Sequence, residues 1–411
     1  MEIGKVKWVV AQPLCGGMPI GFQDAFGCPP TAIITAGFSN DEHYIQYKPG
    51  IPVIKMEVDY QTFKTDADKE LYEQLCQDVD VLMHVAICSG LSQMNSSKSG
   101  SKKRGDADND QNQNMYNLTK LGMRMNAKVV VYENAPAAYT KSGEETIKRI
   151  REIANDFKYT THLLKTDTLF HGIPQSRQRT FIMFYRDSNP PYFEYEEKDF
   201  PLLMDYLDMI PKEAHHQFVV DQDALDPFYH FVLHHTKTKR MLDAVKVIDP
   251  EDKKSTWTSL QLTQAIGFDH AIKYFFKIKN EKAKRLAEHC QAKVKEGKNF
   301  WDSSTFITHQ GRYMNAVVNK AANRMLQPKY ERGYTVRELL WLMGHPHDFN
   351  LVEPKKNWTQ ISQNVPVKTA TYIGNNIKKY LNGELNISTE VFVKQDNTKK
   401  RIDEPKNGEN W

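Results

Sequence analysis

The run Val79 to Ile87 constrains this chain more than any other stretch: it is apolar except for Asp80 and His84, and it ends in Cys88-Ser89-Gly90 and a long polar tract. Such a run, bounded by a turn signal, reads as a buried strand. In an open α/β sheet ligands bind beyond the carboxyl ends of the strands, so Cys88 falls at a rim where a thiol can act as a nucleophile. A free cysteine is equally at home as a small buried hydrophobe. The residue alone leaves both readings open.

The same rhythm extends to either side. Lys5 to Ala11, Ala32 to Ala36 and Val53 to Val58 read as strands before it, and Lys128 to Tyr132, Leu163 to Lys165 and Thr180 to Tyr185 as strands after it. Helices are expected over Met115 to Met125 and Glu144 to Phe157. Strands alternating with helices predict an α/β, doubly wound, parallel-rich sheet. Between the first strand and its helix, Gln12 to Phe22 forms a glycine turn whose backbone N–H groups can approach a ligand. Ser96 to Asn114 is Ser, Lys, Gly, Asp and Asn almost throughout, a loop built to move rather than to pack. From Asp187 the pattern loosens, Pro190-Pro191 marks a linker, and no βαβ rhythm returns before about residue 320. These boundaries predict one domain over residues 1–188 and 320–393, a smaller one over 189–319, and a frayed tail over 394–411.

Charge is unevenly distributed. The chain carries a net charge of +4, yet between Lys237 and Lys298 there are 15 Lys/Arg against 8 Asp/Glu. That concentration suits a surface facing phosphates, or a solvated helix face. Cys15, Cys28, Cys76, Cys88 and Cys290 are odd in number and widely spaced, which fits a reducing compartment and no disulfide framework. His215, His216, His230, His234 and His235 lack the acidic or thiol partners of a metal site, so no metal is expected. With no signal peptide and no run of about 18 apolar residues, the expectation is a soluble, cytoplasmic protein.

Five stretches, taken in order, resemble the DNA cytosine-C5 methyltransferase family. Val85 to Gln93 is similar to its Pro-Cys-Gln loop, with Ile87 and Ser89 replacing Pro and Gln. Tyr132-Glu133-Asn134-Ala135 is similar to its Glu-Asn-Val motif, and Gln175-Ser176-Arg177-Gln178-Arg179 carries Gln-x-Arg-x-Arg intact. Tyr334 to Phe349 resembles the family's late segment, and Gln360 to Pro366 its closing Gln-Ile-Gly-Asn-x-Val-Pro with Gly and Asn replaced. The resemblance implies a Rossmann-like S-adenosylmethionine-dependent methyltransferase domain with a smaller target-recognition domain, acting on double-stranded DNA as a monomer in a bacterial or phage-infected cell. It also implies a restriction-modification or phage DNA-modification role.

C5 of cytosine is a poor nucleophile until a thiolate adds to C6, and the resemblance gives that addition to Cys88. Glu133 would protonate N3, Arg179 would bond the cytosine O2 and orient Glu133, and Arg177 would support them or meet phosphate. Two arginines spaced by two on a strand face one side, so both are expected in one cleft. The base must leave the duplex to be reached, and the polar loop, with Lys102, Lys103 and Arg104, would close over it. For the donor, the resemblance implies Gln12, Cys15, Gly16 and Gly17 of the glycine turn, Asp59 after the third strand, and Ile87 and Gln363. Asp59 also reads as an ordinary loop carboxylate.

Lys368 departs from the pattern. It lies two residues after Pro366, where the family lines the methionine end of the donor, and a lysine about 5 Å from a sulfonium costs about 3 kcal/mol at an effective dielectric of 20. A carboxylated donor, carboxy-S-adenosylmethionine, would offset that repulsion and yield 5-carboxymethylcytosine; a lysine pointing to solvent is the plain alternative. An RNA cytosine methyltransferase or a non-catalytic binding module are the other function classes left open.

Overall fold

A computed structural model describes residues 5–86, 110–212, 227–251, 256–277, 312–317 and 332–398, with short pieces between 281 and 330. The chain forms two compact units, the first of residues 1–200, 343–352 and 363–402, the second of 201–342, 353–362 and 403–411.

The first unit is built on an eight-stranded sheet. Its strands are β1 (Trp8–Ala11), β2 (Ala32–Thr35), β3 (Val53–Lys55), β4 (Val81–His84), β5 (Val129–Asn134), β6 (Tyr159–Asp167), β7 (Gln178–Arg186) and β8 (Phe392–Asp396). They lie in the order β8-β6-β7-β5-β4-β1-β2-β3. All neighbours run parallel except that β7 is antiparallel to both β5 and β6. The central strands are near-continuous apolar runs, Trp8-Val9-Val10 and Val129-Val130-Val131 fully buried, as expected of a sheet covered on both faces. This is the α/β, doubly wound sheet that the alternation of runs predicts.

Helices α1 (Gly17–Phe26), α2 (Glu42–Tyr47), α3 (Asp66–Leu75), α4 (Asp110–Arg124) and α5 (Glu144–Asp156) fill the crossovers. α3 starts at Thr65, whose hydroxyl accepts from Asp68 N, with Asp66 and Asp68 in the first turn where the helix dipole favours them. α5 buries Ile147, Ile150, Ile153 and Ala154 along one stripe. α4 and α5 close one face of the sheet, where Leu118, Leu121 and Ile150 join Val9, Leu82, Val130 and Ile182.

Strand ends differ from expectation for identifiable reasons. β3 stops at Lys55 rather than Val58 because Met56 bridges Phe63 and the chain turns back. β6 begins at Tyr159 rather than Leu163. Its polar start, Thr160-Thr161-His162, is held because β8 pairs on one side and β7 on the other, placing His162 between Val393 and Met183. The tail expected from Lys394 is corrected by the same pairing: Lys394, Gln395 and Asp396 belong to β8.

The boundaries also move. Residues 189–200 cluster with the sheet, since Pro191 bridges Ile387, Phe193 N donates to Gln395 Oε1 at 3.0 Å, and Glu194 N donates to Asn376 Oδ1 at 2.9 Å. Residues 320–342 cluster with the second unit. There α11 (Val336–Leu342) exchanges two hydrogen bonds with α6 (Leu203–Asp208): Trp341 Nε1 donates to Tyr206 O and Tyr206 Oη donates to Trp341 O. The rest of that unit packs α7 (Pro227–Thr236), α8 (Met241–Ile248), α9 (Ser259–Ile266) and α10 (Phe268–Lys277) around Phe231, Val232, Trp257, Leu262 and Phe275. α12 (Val367–Leu381) returns to the first unit.

Candidate active site

β1 lies between β2 and β4, so the strand order reverses beside it, and the crevice at a reversal point is where open α/β sheets bind ligands. β4 aims Val85 and Ala86 beyond its carboxyl end; Ile87 and Cys88, together with the polar loop as far as Asn109 and its Lys102, Lys103 and Arg104, lie outside the described residues, whereas Asp110 to Asn114, expected to continue that loop, open α4.

Next to β4, β5 carries Glu133 one residue before its end. Antiparallel pairing sets Glu133 opposite Phe181 of β7, which puts Arg179 diagonally across the same face. Arg179 Nε meets Glu133 Oε1 at 2.5 Å, with 5% of the Glu133 side chain and 16% of the Arg179 side chain exposed. Burial raises the Glu133 pKa, against the pull of Arg179 and then Arg177. Net, the carboxyl is displaced toward its protonated form, and a buried carboxyl kept neutral can donate a proton or a hydrogen bond.

Arg177 has a different fate from its neighbour in the motif. It precedes β7, is 1% exposed, and donates from Nη2 to Asn364 O at 2.9 Å while its own N–H donates to Asp167 Oδ1 at 3.0 Å. Arg177 is thus turned away from solvent, and its charge, after that of Arg179, pulls the Glu133 carboxyl toward ionisation.

The glycine turn is equally specific, but in sterics. Gly16 sits at φ 81°, in the left-handed region, and a Cβ there would meet Tyr44 Cδ2 at 2.8 Å. A Cβ on Gly17 would come within 2.0 Å of Val365 O, and one on Gly21 within 2.4 Å of Val367 O. Gly17 and Gly21 are therefore glycine because α1 packs against the chain entering α12. Gly17 N donates to Asn364 Oδ1 at 3.0 Å, capping α1 from afar. His345 Nε2 lies 2.9 Å from Cys15 O and 2.8 Å from Asn364 Nδ2, so Cys15 contributes its carbonyl while its buried thiol is pushed far above the ordinary range.

The other expected donor contacts are dispersed. Gln12, at φ 54°, accepts at Oε1 from Tyr60 Oη at 3.3 Å. Asp59 accepts from Gln61 N, Thr62 N and Thr62 Oγ1, hydrogen bonds of its own turn that hold its pKa low. Gln363 accepts from Asn40 Nδ2 at 2.7 Å. Lys368, in the first turn of α12, reaches Gly172 O at 3.4 Å, and burial and Lys198 lower its pKa. Near the turn, the buried Tyr44 hydroxyl has no hydrogen-bond partner among the described residues, and the left-handed Gly16 opens α1. An orphan buried hydroxyl beside the glycine turn at the reversal point fits a polar ligand such as S-adenosylmethionine.

Three residues escaped the sequence reading. Asp41 is fully buried and accepts from Leu14 N at 3.0 Å and Thr35 Oγ1 at 2.6 Å, with burial pushing its pKa up to about 6. Asn364 and His345 are the other two; both lie inside stretches that carry the resemblance, but neither contact is local in sequence. Among the described residues no group of three or more His, Cys, Asp or Glu could hold a metal ion, and no helix is long and apolar enough to cross a membrane.

This Rossmann-like sheet, with its acid–guanidinium pair and its glycine turn, defines an S-adenosylmethionine-dependent methyltransferase fold. Residues 14–379 match the model of the C-5 cytosine-specific DNA methylase family, and the chain belongs to that family. Membership implies methyl transfer to cytosine with S-adenosylmethionine as donor. Among solved structures, a prophage-encoded protein of E. coli described as a DNA modification methyltransferase is similar at 16% identity and a TM-score of 0.57, over 92% of this chain and 99% of that one. The Entamoeba histolytica methyltransferase EhMeth is similar at 11% identity and 0.55, over 92% and 99%. The S. pombe Dnmt2 methyltransferase is similar at 12% and 0.54, over 92% and 100%. At these identities the likeness concerns the fold. No curated protein sequence matches significantly.

Proposed function

We propose that this protein methylates C5 of a cytosine flipped out of duplex DNA, through a transient bond between Cys88 and C6. The observation that carries the reading is Glu133, buried, displaced toward its neutral form and held by Arg179. The Cys88 thiolate adds to C6, and the electron pair released moves toward C5 as Glu133 gives its proton to N3. Arg179 fixes Glu133 through Nε while its Nη1 donates to Gln178 O at 2.7 Å, and in the proposed step Nη2 is the donor to the cytosine O2. Bound S-adenosylmethionine supplies an electrophilic methyl group, which C5 takes. Loss of the C5 proton and elimination of the Cys88 sulfur then restore the ring and the thiol. The unit around the sheet serves as the catalytic domain and the second unit as the target-recognition domain.

Duplex DNA carrying 5-fluorocytosine tests this. With fluorine at C5 the final elimination is blocked, so the wild-type chain with donor should form a covalent adduct that Cys88→Ala does not. No adduct on DNA, or an adduct formed on an RNA hairpin instead, would overturn the reading; the latter outcome is the RNA methyltransferase alternative.

A second reading concerns the donor. Burial and then the charge of Lys198 depress the Lys368 pKa, and an anionic group beside Lys368 would offset both, as the carboxylate of carboxy-S-adenosylmethionine could. Thermal-shift titration decides: larger stabilisation by the carboxylated donor, lost in Lys368→Ala, supports it, and equal stabilisation by both donors eliminates it.

A further inference from the structure

One buried side chain stands between the glycine turn and the catalytic acid. Asn364, 1% exposed, accepts at Oδ1 from Gly17 N at 3.0 Å, and its Nδ2 lies 2.8 Å from His345 Nε2 and 3.4 Å from Cys15 O. His345 Nε2 is itself 2.9 Å from Cys15 O, so the ring either donates to that carbonyl or accepts from the amide, one at a time. The contact is steric as well: a Cβ on Gly17 would meet Val365 O at 2.0 Å and Asn364 Nδ2 at 2.8 Å. The turn thus packs without slack against residues 364–365, and a shift of one drives the other. On its far side, the main-chain oxygen of Asn364 accepts from Arg177 Nη2 at 2.9 Å. The backbone of Arg177 is pinned, its N–H by Asp167 Oδ1 at 3.0 Å and its carbonyl by Thr168 N and Oγ1, both at 3.2 Å. The guanidinium is the part of Arg177 left to follow Asn364.

Arg179 and then Arg177 are the charges that act on Glu133. In a buried, low-dielectric setting, a displacement of the Arg177 guanidinium is felt at that carboxyl through space. We propose that Asn364 is a positioning residue that couples the two ends of the site: a donor seated on the glycine turn is registered at Glu133 through Asn364 and Arg177. Donor occupancy then sets how firmly Glu133 holds its proton, and by reciprocity protonation changes the donor affinity by the same factor. The inference rests on the reading of the turn as the donor site and of Glu133 as the acid.

The test is infrared titration of the Glu133 carboxyl band in the full chain, with and without saturating S-adenosylhomocysteine, each background being compared with its own Glu133→Gln form. Calorimetry follows binding of the same ligand. In the wild type the ligand should move the midpoint of the band by about 0.7 pH unit or more, about a fivefold coupling. In Asn364→Ala that movement should vanish although the ligand still binds. The unliganded midpoint should rise there, as in Arg177→Gln, because a guanidinium held less firmly pulls less on the carboxyl. Asn364→Asp, which keeps an acceptor for Gly17 N, should recover part of the movement. Arg177→Lys cuts the link from its other end and should lose the movement too, which keeps the test open if Asn364→Ala does not fold. No movement in the wild type, or an undiminished movement in Asn364→Ala or Arg177→Lys, overturns the inference. Neither measurement uses nucleic acid: absence of a covalent adduct on DNA with the movement intact overturns the preceding reading alone, and an adduct on DNA without the movement overturns this inference alone.

Discussion

The carboxyl rim of β5 and β7 and the turn between β1 and α1 both carry short motifs, and they are held by opposite means. At the rim, Glu133 and Arg179 are kept buried and charge-coupled, a costly arrangement that leaves reactive groups ready for a substrate. At the turn, the motif is consumed by packing: Gly17 and Gly21 have no room for a methyl group, and the orphan N–H of Gly17 is capped by Asn364. A chemical motif and a steric one can look equally suggestive in sequence. The buried acid–guanidinium pair at the rim separates them.

Four substitutions sharpen the contrast. Glu133→Gln keeps the shape and one acceptor but has no proton to give, so single-turnover methylation should slow by about a thousandfold, about 4 kcal/mol, with the fold retained by circular dichroism. Gly17→Ala should instead act on stability, at about 3 kcal/mol or more because the backbone of Val365 must shift, read as a lowered midpoint in urea.

Asp41→Asn isolates a pH effect. The folded pKa of Asp41 is raised to about 6, so its contribution to stability is fully present below the unfolded value of about 3.9 and is lost as pH rises through about 6. Melting temperatures between those limits should decline less steeply in Asp41→Asn than in wild type. Asp59→Ala should have the smallest effect, about 0.5–1 kcal/mol, because its hydrogen bonds close only its own surface turn.

The sheet was legible where burial wrote itself into composition. β1, β2, β4 and β5 are apolar runs, and their positions follow from that alone. β6 was half hidden because Thr160-Thr161-His162 reads as surface until a partner strand from the far end of the chain is known, and β8 was missed for the same reason. At the site, Glu133 and Arg179 could be named from their motifs, and the antiparallel register of β5 and β7 brings them together. The separate fate of Arg177 could not be read, because two residues on one strand share a face only while both are in the strand, and Arg177 lies before it. Asn364, His345 and Asp41 escaped because each acts on a residue distant in the chain.

The central claim is that Glu133 holds its proton beyond the ordinary glutamate range while paired with Arg179. Infrared titration of the protonated carboxyl band, taken as the difference between wild type and Glu133→Gln, tests it directly. The account predicts a band that persists well above about pH 4.3, the ordinary glutamate pKa, and shifts further up in Arg179→Gln. A difference band that disappears at or below that value would contradict it.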